Sequence, residues 1–291
     1  KDKKGKQEKK ESSRDQLALA YAKALQHQQF RELDMSAMPH HYKSSFTPMS
    51  RPKMKRLVRE VASLASNMPF SLDSSVYLRV DENHLDRMKA LIIGPAGTPY
   101  ADGCFQFDIY CHNQYPNNCP VVNLMTTGQG SVRFNPNLYN CGKVCLSLLG
   151  TWSGASNESW TKASTLLQVL VSIQSLIFVE HPYFNEPGYE STINTPSGQA
   201  SSRIYSNNIE VQTVRVAMVG QLQQPSQGFE DVIRSHFKVK GADILARLET
   251  MSTRNTVVRT HLNQLRAEIG KLSSYVIPEP VDDESDSDLD F

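Results

Sequence analysis

No apolar run in this chain is long enough to cross a bilayer: the longest, Leu166 to Phe178, is interrupted by Gln168, Ser172, Gln174 and Ser175. The chain also lacks charge of one sign. A formal net charge of +1 over 291 residues excludes a protein that holds nucleic acid by basic excess alone. The lysine-rich start has no apolar stretch behind it and does not read as a secretory signal. With 15 Gly and 15 Pro the chain is not collagenous. Cysteine is scarce, confined to Cys104, Cys111, Cys119, Cys141 and Cys145. An odd set in so long a chain excludes a disulfide scaffold and points to reduced thiols in the cytosol or nucleus. Cys141 and Cys145 have helix-like spacing, but no second close Cys or His pair completes a tetrahedral site, so the pattern lends a metal site little support.

What is present is 39% apolar residues, enough for one large domain with appendages or for two domains. Residue 1 is Lys rather than Met, which reads as a segment or processed form of something longer. The small net charge hides a polarised chain. Lysines crowd residues 1–10, and residues 279–291 carry acids and no base, with Ser285 and Ser287 among them as candidate phosphorylation sites. Both ends are expected to be disordered, since like charges repel and neither end has apolar side chains to bury.

Four regions follow: a basic tail, helix and linker over 1–50; a compact domain over 51–220; a helical extension over 221–275; and an acidic tail over 276–291. In the first, residues 14–33 carry a helical apolar face that includes Leu17, Tyr21, Leu25 and Phe30. The compact domain opens with a helix capped at Ser50, with Pro52 in its first turn and a stripe of Leu57, Val61 and Leu64. Arg51, Lys55 and Arg59 repeat every four residues on its other side, reinforced by Lys53 and Arg56.

Strand patterns at 76–80, 87–93, 104–111 and 121–125, joined by short turns, predict an antiparallel meander. In the third, Phe105, Phe107, Ile109 and Cys111 alternate with Gln106, Asp108 and Tyr110, the pattern of a sheet with one buried face. Residues 166–178 are apolar nearly all round and predict a central buried helix, so the domain is α+β.

Residues 126–165 have little periodicity yet carry both tryptophans, Trp152 and Trp160, and several leucines, which argues for a functional segment rather than a disordered one. A single cysteine on such a segment, here Cys141 or Cys145, is a candidate nucleophile, although free Cys is more often a small buried hydrophobe. The ordered pieces along the chain are Gly94-Pro95 with Thr98-Pro99-Tyr100; Tyr115-Pro116 with Pro120; Asn135-Pro136-Asn137; Gly142-Lys143-Val144-Cys145-Leu146; and Trp160 ahead of Leu170-Val171-Ser172-Ile173. Over residues 50–220 these resemble the ubiquitin-conjugating enzyme family, including its eight-residue step from Asn137 to Cys145. The Trp152–Trp160 stretch, Tyr183 to Glu190 and the helical flanks look most like the subgroup in which this domain is part of a giant ubiquitin ligase.

The resemblance implies the ubiquitin-conjugating fold: an N-terminal helix, a four-stranded antiparallel meander, an active-site loop, a central helix and extra flanking helices. It implies acyl transfer through a thioester on Cys145, with no cofactor. Asn137 matches the position proposed to stabilise the thioester oxygen, or else braces its own loop. Glu186 stands where the family has an acidic gate residue, or else is an exposed loop acid. Asn135, Pro136, Tyr139 and Trp160 would shape the site, with Asn135 replacing a usual His. Arg51, Lys55 and Arg59 would meet the activating enzyme, unless they are merely a solvated face. Asn117 replaces the large apolar residue that often anchors a separate ligase. The implied partners are ubiquitin, its activating enzyme, protein substrates and the rest of a larger ligase chain. The alternatives are an inactive ubiquitin-binding module and a conjugating enzyme for another modifier.

Overall fold

The computed structural model describes residues 2–152, 159–253 and 256–280. Ser285 and Ser287, expected in a disordered acidic tail, lie outside the described residues, as does the middle of the Trp152–Trp160 stretch. The basic start does not match its expectation: α1 runs Asp2–Leu25 without a break. Lys, Gln and Glu are strong helix formers and continue directly into the apolar face of the helix.

That helix ends short of residue 33. Phe30–Leu33 forms strand β1 instead, parallel to β2 (Val76–Asp81) with Phe30 opposite Leu78. β2, β3 (Arg87–Ile93), β4 (Cys104–Tyr110) and β5 (Val121–Leu124) form the expected antiparallel meander. The sheet is therefore five-stranded and mixed, in chain order, rather than four-stranded. A four-residue strand is too short to display a period, so Phe30 read equally well as part of a helix face.

Helix α2 (Arg51–Asn67) buries Leu57, Val61 and Leu64 as expected, but the Ser50 side chain makes no capping bond. Lys53 is fully buried and ion-paired to Asp86, and Arg56 is held by Glu60, so neither reinforces the basic face. α3 (Leu166–Ser172) starts at a reciprocal Thr165–Gln168 capping box and continues as a π-helical segment to Ile177. It buries one side only, leaving Val171 and Leu176 exposed, so it borders the core rather than crossing its centre. α4 (Pro196–Gln212) likewise continues as π-helix through Gly220. The extension consists of α5 (Glu230–Ser252) and α6 (Thr256–Lys271).

The extension changes the meaning of the sheet. All of β4 is buried, not one face of it. Phe105, Phe107 and Ile109 join the core under α2 and α3. Cys104, Tyr77 and Leu91 join a second core with Tyr21 and Leu25 of α1 and Val232, Ile233 and Phe237 of α5. The polar alternates are satisfied by protein rather than water. Lys89 donates to Asp108 (2.8 Å) and to the Pro39 carbonyl (2.6 Å), and Arg79 donates to the carbonyls of Gly228 (2.7 Å) and Gln28 (2.9 Å).

His236 of α5 lies at the centre of this second contact. Its Nε2 faces the Asp102 carbonyl (3.2 Å), which can only accept, so Nε2 carries the proton and Nδ1 accepts from the Tyr21 hydroxyl (3.0 Å). Burial, then the charge of Lys240, lowers its pKa to about 4. An unfolded histidine takes up a proton near about pH 6.5, before the folded one does, so this group removes stability as pH falls from there towards about 4. Urea midpoints should drop across that window in the natural chain and drop less in His236→Gln. An identical drop would clear His236 as the source.

Candidate active site

The stretch without periodicity is built from short hydrogen-bonded pieces. Residues 137–145 form a hairpin in which the Cys145 amide donates to the Asn137 carbonyl (2.8 Å), Leu138 bridges Val144, and the Tyr139 amide donates to the Lys143 carbonyl (3.0 Å). The eight-residue step is therefore a register: Asn137 and Cys145 are opposing partners. The Asn137 side-chain amide closes the pair by donating to the Cys145 carbonyl (2.9 Å). Gly142 makes the turn at φ +90°, and a Cβ there would meet the Asn123 side chain at 2.4 Å. Only glycine lets the hairpin lie against β5, where the Leu124 amide donates to the Gly142 carbonyl (2.8 Å).

Asn135 anchors the hairpin from beneath. Fully buried, it donates to the Tyr100 hydroxyl (2.9 Å) and to the Ile177 carbonyl (2.8 Å). Its Oδ1 accepts from the Asn137 amide (2.9 Å) and from Asn185 (3.4 Å). Every bonding position of the amide is used, which ties the loop to α3 and to the 182–185 turn.

Cys145 is 2% exposed and lines a groove of about 250 Å³ with Asn137, Ser147, Trp152, Leu176 and Asn185. Burial pushes its thiol above the ordinary range, and the charges of Lys143 and Arg133 pull it part of the way back. The resting side chain is a thiol; to act as a nucleophile it would have to give up that proton.

Arg133, which sequence reasoning missed, connects the parts. It donates to the Pro136 carbonyl (2.8 Å), lies over the Tyr139 ring at 4.3 Å and reaches the Glu186 carboxylate at 3.4 Å. Its only trace in the sequence is its position two residues ahead of Asn135. Glu186 lines a second cavity of about 550 Å³ with Trp152, Phe184, Asn185 and Glu190; Trp152 and Asn185 also line the Cys145 groove. Trp160 stands apart from the groove. Its indole N–H donates to the Pro116 carbonyl (2.8 Å), and its ring meets Tyr115. Arg51, Lys55 and Arg59 are exposed on α2, a separate face, and Asn117 is exposed beside the Tyr115-Pro116 turn. The cysteines are free thiols, and no group of metal-binding side chains occurs among the described residues.

Residues 56–213 match the family described as ubiquitin-conjugating enzyme. The human dual E2 ubiquitin-conjugating enzyme/E3 ubiquitin-protein ligase BIRC6 is 49% identical over 81% of this chain, which spans 5% of that protein. A probable ubiquitin-conjugating enzyme protein 17 of Caenorhabditis elegans is 48% identical over 70% of this chain and 28% of its own length. Among solved structures, the E2 domain of a Toxoplasma gondii ubiquitin conjugating enzyme matches 57% of this chain and 99% of its own, at 23% identity and a TM-score of 0.41. The likeness to the conjugating domain of a giant ligase is borne out at the level of sequence.

Proposed function

The chain belongs to the ubiquitin-conjugating enzyme family, and on that premise we propose that Cys145 takes ubiquitin as a thioester and passes it to a lysine of a protein substrate. In the first step the Cys145 sulfur attacks the thioester that joins ubiquitin to the activating enzyme. The activating enzyme's thiol leaves with the proton that Cys145 loses, so one thioester replaces another with no redox change. In the second step the substrate amine attacks, the Cys145 sulfur departs, and the amine's proton passes to a base or to water.

The observation that carries this reading is the Asn137–Cys145 pairing at the edge of the groove. One N–H of the Asn137 amide holds the Cys145 carbonyl, which leaves the other to meet negative charge developing on the thioester oxygen. A lysine with a reference pKa of about 10.4 is only about 0.1% neutral at pH 7.4, so a dry surface near the groove helps by lowering that value. Glu186, steadied by Arg133, orients the amine and accepts its proton late. The whole protein joins this activity to ligase functions elsewhere in a larger chain and selects substrates without an apolar anchor at Asn117.

Incubation with activating enzyme, ATP and ubiquitin tests the proposal. A ubiquitin adduct that excess thiol removes is expected, and the absence of such an adduct rejects the conjugating reading. The exposed Arg51, Lys55 and Arg59 dock the activating enzyme by charge. Changing all three to Glu should slow loading about tenfold at low salt, and the deficit should shrink as salt rises. Loading at the natural rate would eliminate this docking face.

A further inference from the structure

A polar cleft of about 490 Å³ opens on the far side of α4, walled by α5, and takes no part in the mechanism above. Three side chains on one face of α4 line it at four-residue spacing: Ser202, Ser206 and Glu210. Ser202 is 2% exposed, yet among the described residues its hydroxyl has no hydrogen-bond partner, and neither does the buried Ser206 hydroxyl. The Glu210 carboxylate is half-buried and makes no hydrogen bond or close ion pair among the described residues; burial raises its pKa, and the charge of Arg247 offsets part of that rise. A buried polar group without a partner is costly, so these three groups gain most from a ligand.

The other charges at the cleft gain less. Arg247 is already held by Asp102 (2.9 Å) and the Ala101 carbonyl (3.1 Å). Arg203 is exposed on the rim, where water solvates it, and Glu180 lies 3.8 Å from His181. The unmet demand is thus for hydrogen-bond partners for two hydroxyls and for one positive charge, spread over two helical turns of about 12 Å. A guanidinium matches a carboxylate in bidentate fashion, and a peptide backbone beside it supplies both N–H donors and carbonyl acceptors for the two hydroxyls.

We propose that this cleft is a binding site for an arginine-bearing segment of a partner protein, with Glu210 receiving the guanidinium and Ser202 and Ser206 bonding the adjoining backbone. It is independent of ubiquitin loading and can be read without it.

The test is a methyl NMR titration of the full chain, observing Met251 and Ala101, which line the cleft. N-acetyl-arginine amide should shift both in a saturable way, at least tenfold more tightly than the uncharged isostere N-acetyl-citrulline amide. Glu210→Gln should weaken the arginine probe at least tenfold, and Ser202→Ala should weaken it severalfold. Arg203→Gln removes a like charge from the rim and should not weaken it. Core methyl signals report whether each variant is folded. The proposal falls if arginine and citrulline bind alike, if folded Glu210→Gln binds as the natural chain does, if no saturable shift appears, or if inorganic phosphate saturates the site while arginine does not.

Discussion

Cys145→Ala should abolish the thiol-sensitive ubiquitin adduct, whereas Asn137→Ala should keep the adduct and slow its discharge to free lysine by about 10²–10³. The two residues are paired in one hairpin, yet on the proposed mechanism they serve different steps. In that mechanism the sulfur forms the thioester, and the amide acts when negative charge builds on the carbonyl oxygen during attack by a poor, mostly protonated nucleophile. The same amide also donates to the Cys145 carbonyl, so losing it costs about 1 kcal/mol of loop stability. Single-turnover discharge of preloaded enzyme separates the two roles. A pure bracing role would slow loading and discharge together. A selective loss in discharge assigns the amide to the reaction, and natural discharge from a loaded Asn137→Ala chain removes it from the mechanism.

Asp102→Asn should destabilise the contact between the catalytic domain and its extension by about 3 kcal/mol or more. Asp102 adopts φ +64°, which Asn tolerates, so the change removes charge with little backbone strain. It receives Lys240 and Arg247 from α5. Burial alone would raise its pKa, but those two charges, with His236, hold it below the usual carboxylate range. Arg247 keeps some contact with water; Lys240 is nearly buried and would be left with neutral partners such as the Leu72 carbonyl (2.7 Å) and the Tyr21 ring (5.8 Å). Its uncompensated charge is what makes the single change costly. Adding Lys240→Met should recover most of the loss, because two neutral groups replace a broken ion pair. Urea denaturation of both variants decides the matter: a double variant no more stable than Asp102→Asn would show that the pair is not the source.

The linkage sign separates this pair from His236. A depressed carboxylate supports the fold above its unfolded pKa, near about 3.9, and is lost as pH falls through its lower folded value. The histidine acts earlier in acidification, between about 6.5 and about 4. Acid should therefore weaken the extension in two stages, with His236 responsible for the upper one.

Periodicity and turn chemistry alone determined the α+β class, the meander from Val76 to Leu124, the buried stripe of α2 and the helical nature of the extension, because each is written in local spacing. The Asn137–Cys145 step was legible through resemblance, and the hairpin register explains why eight residues separate the two. Only the tertiary structure decided what covers the second face of the sheet. An alternating strand has the same pattern whether Asp108 and Lys89 meet water or each other. Arg133 was invisible for a related reason: its partners, Pro136, Tyr139 and Glu186, come together only after folding, and no spacing in the chain records that meeting. Lys53 errs the other way, placed by its charge on a solvated face but drawn inside by Asp86, a partner distant in the chain. Local sequence carries the conformational preferences of the backbone, whereas long-range pairing of polar groups depends on which surfaces the fold presses together and dries.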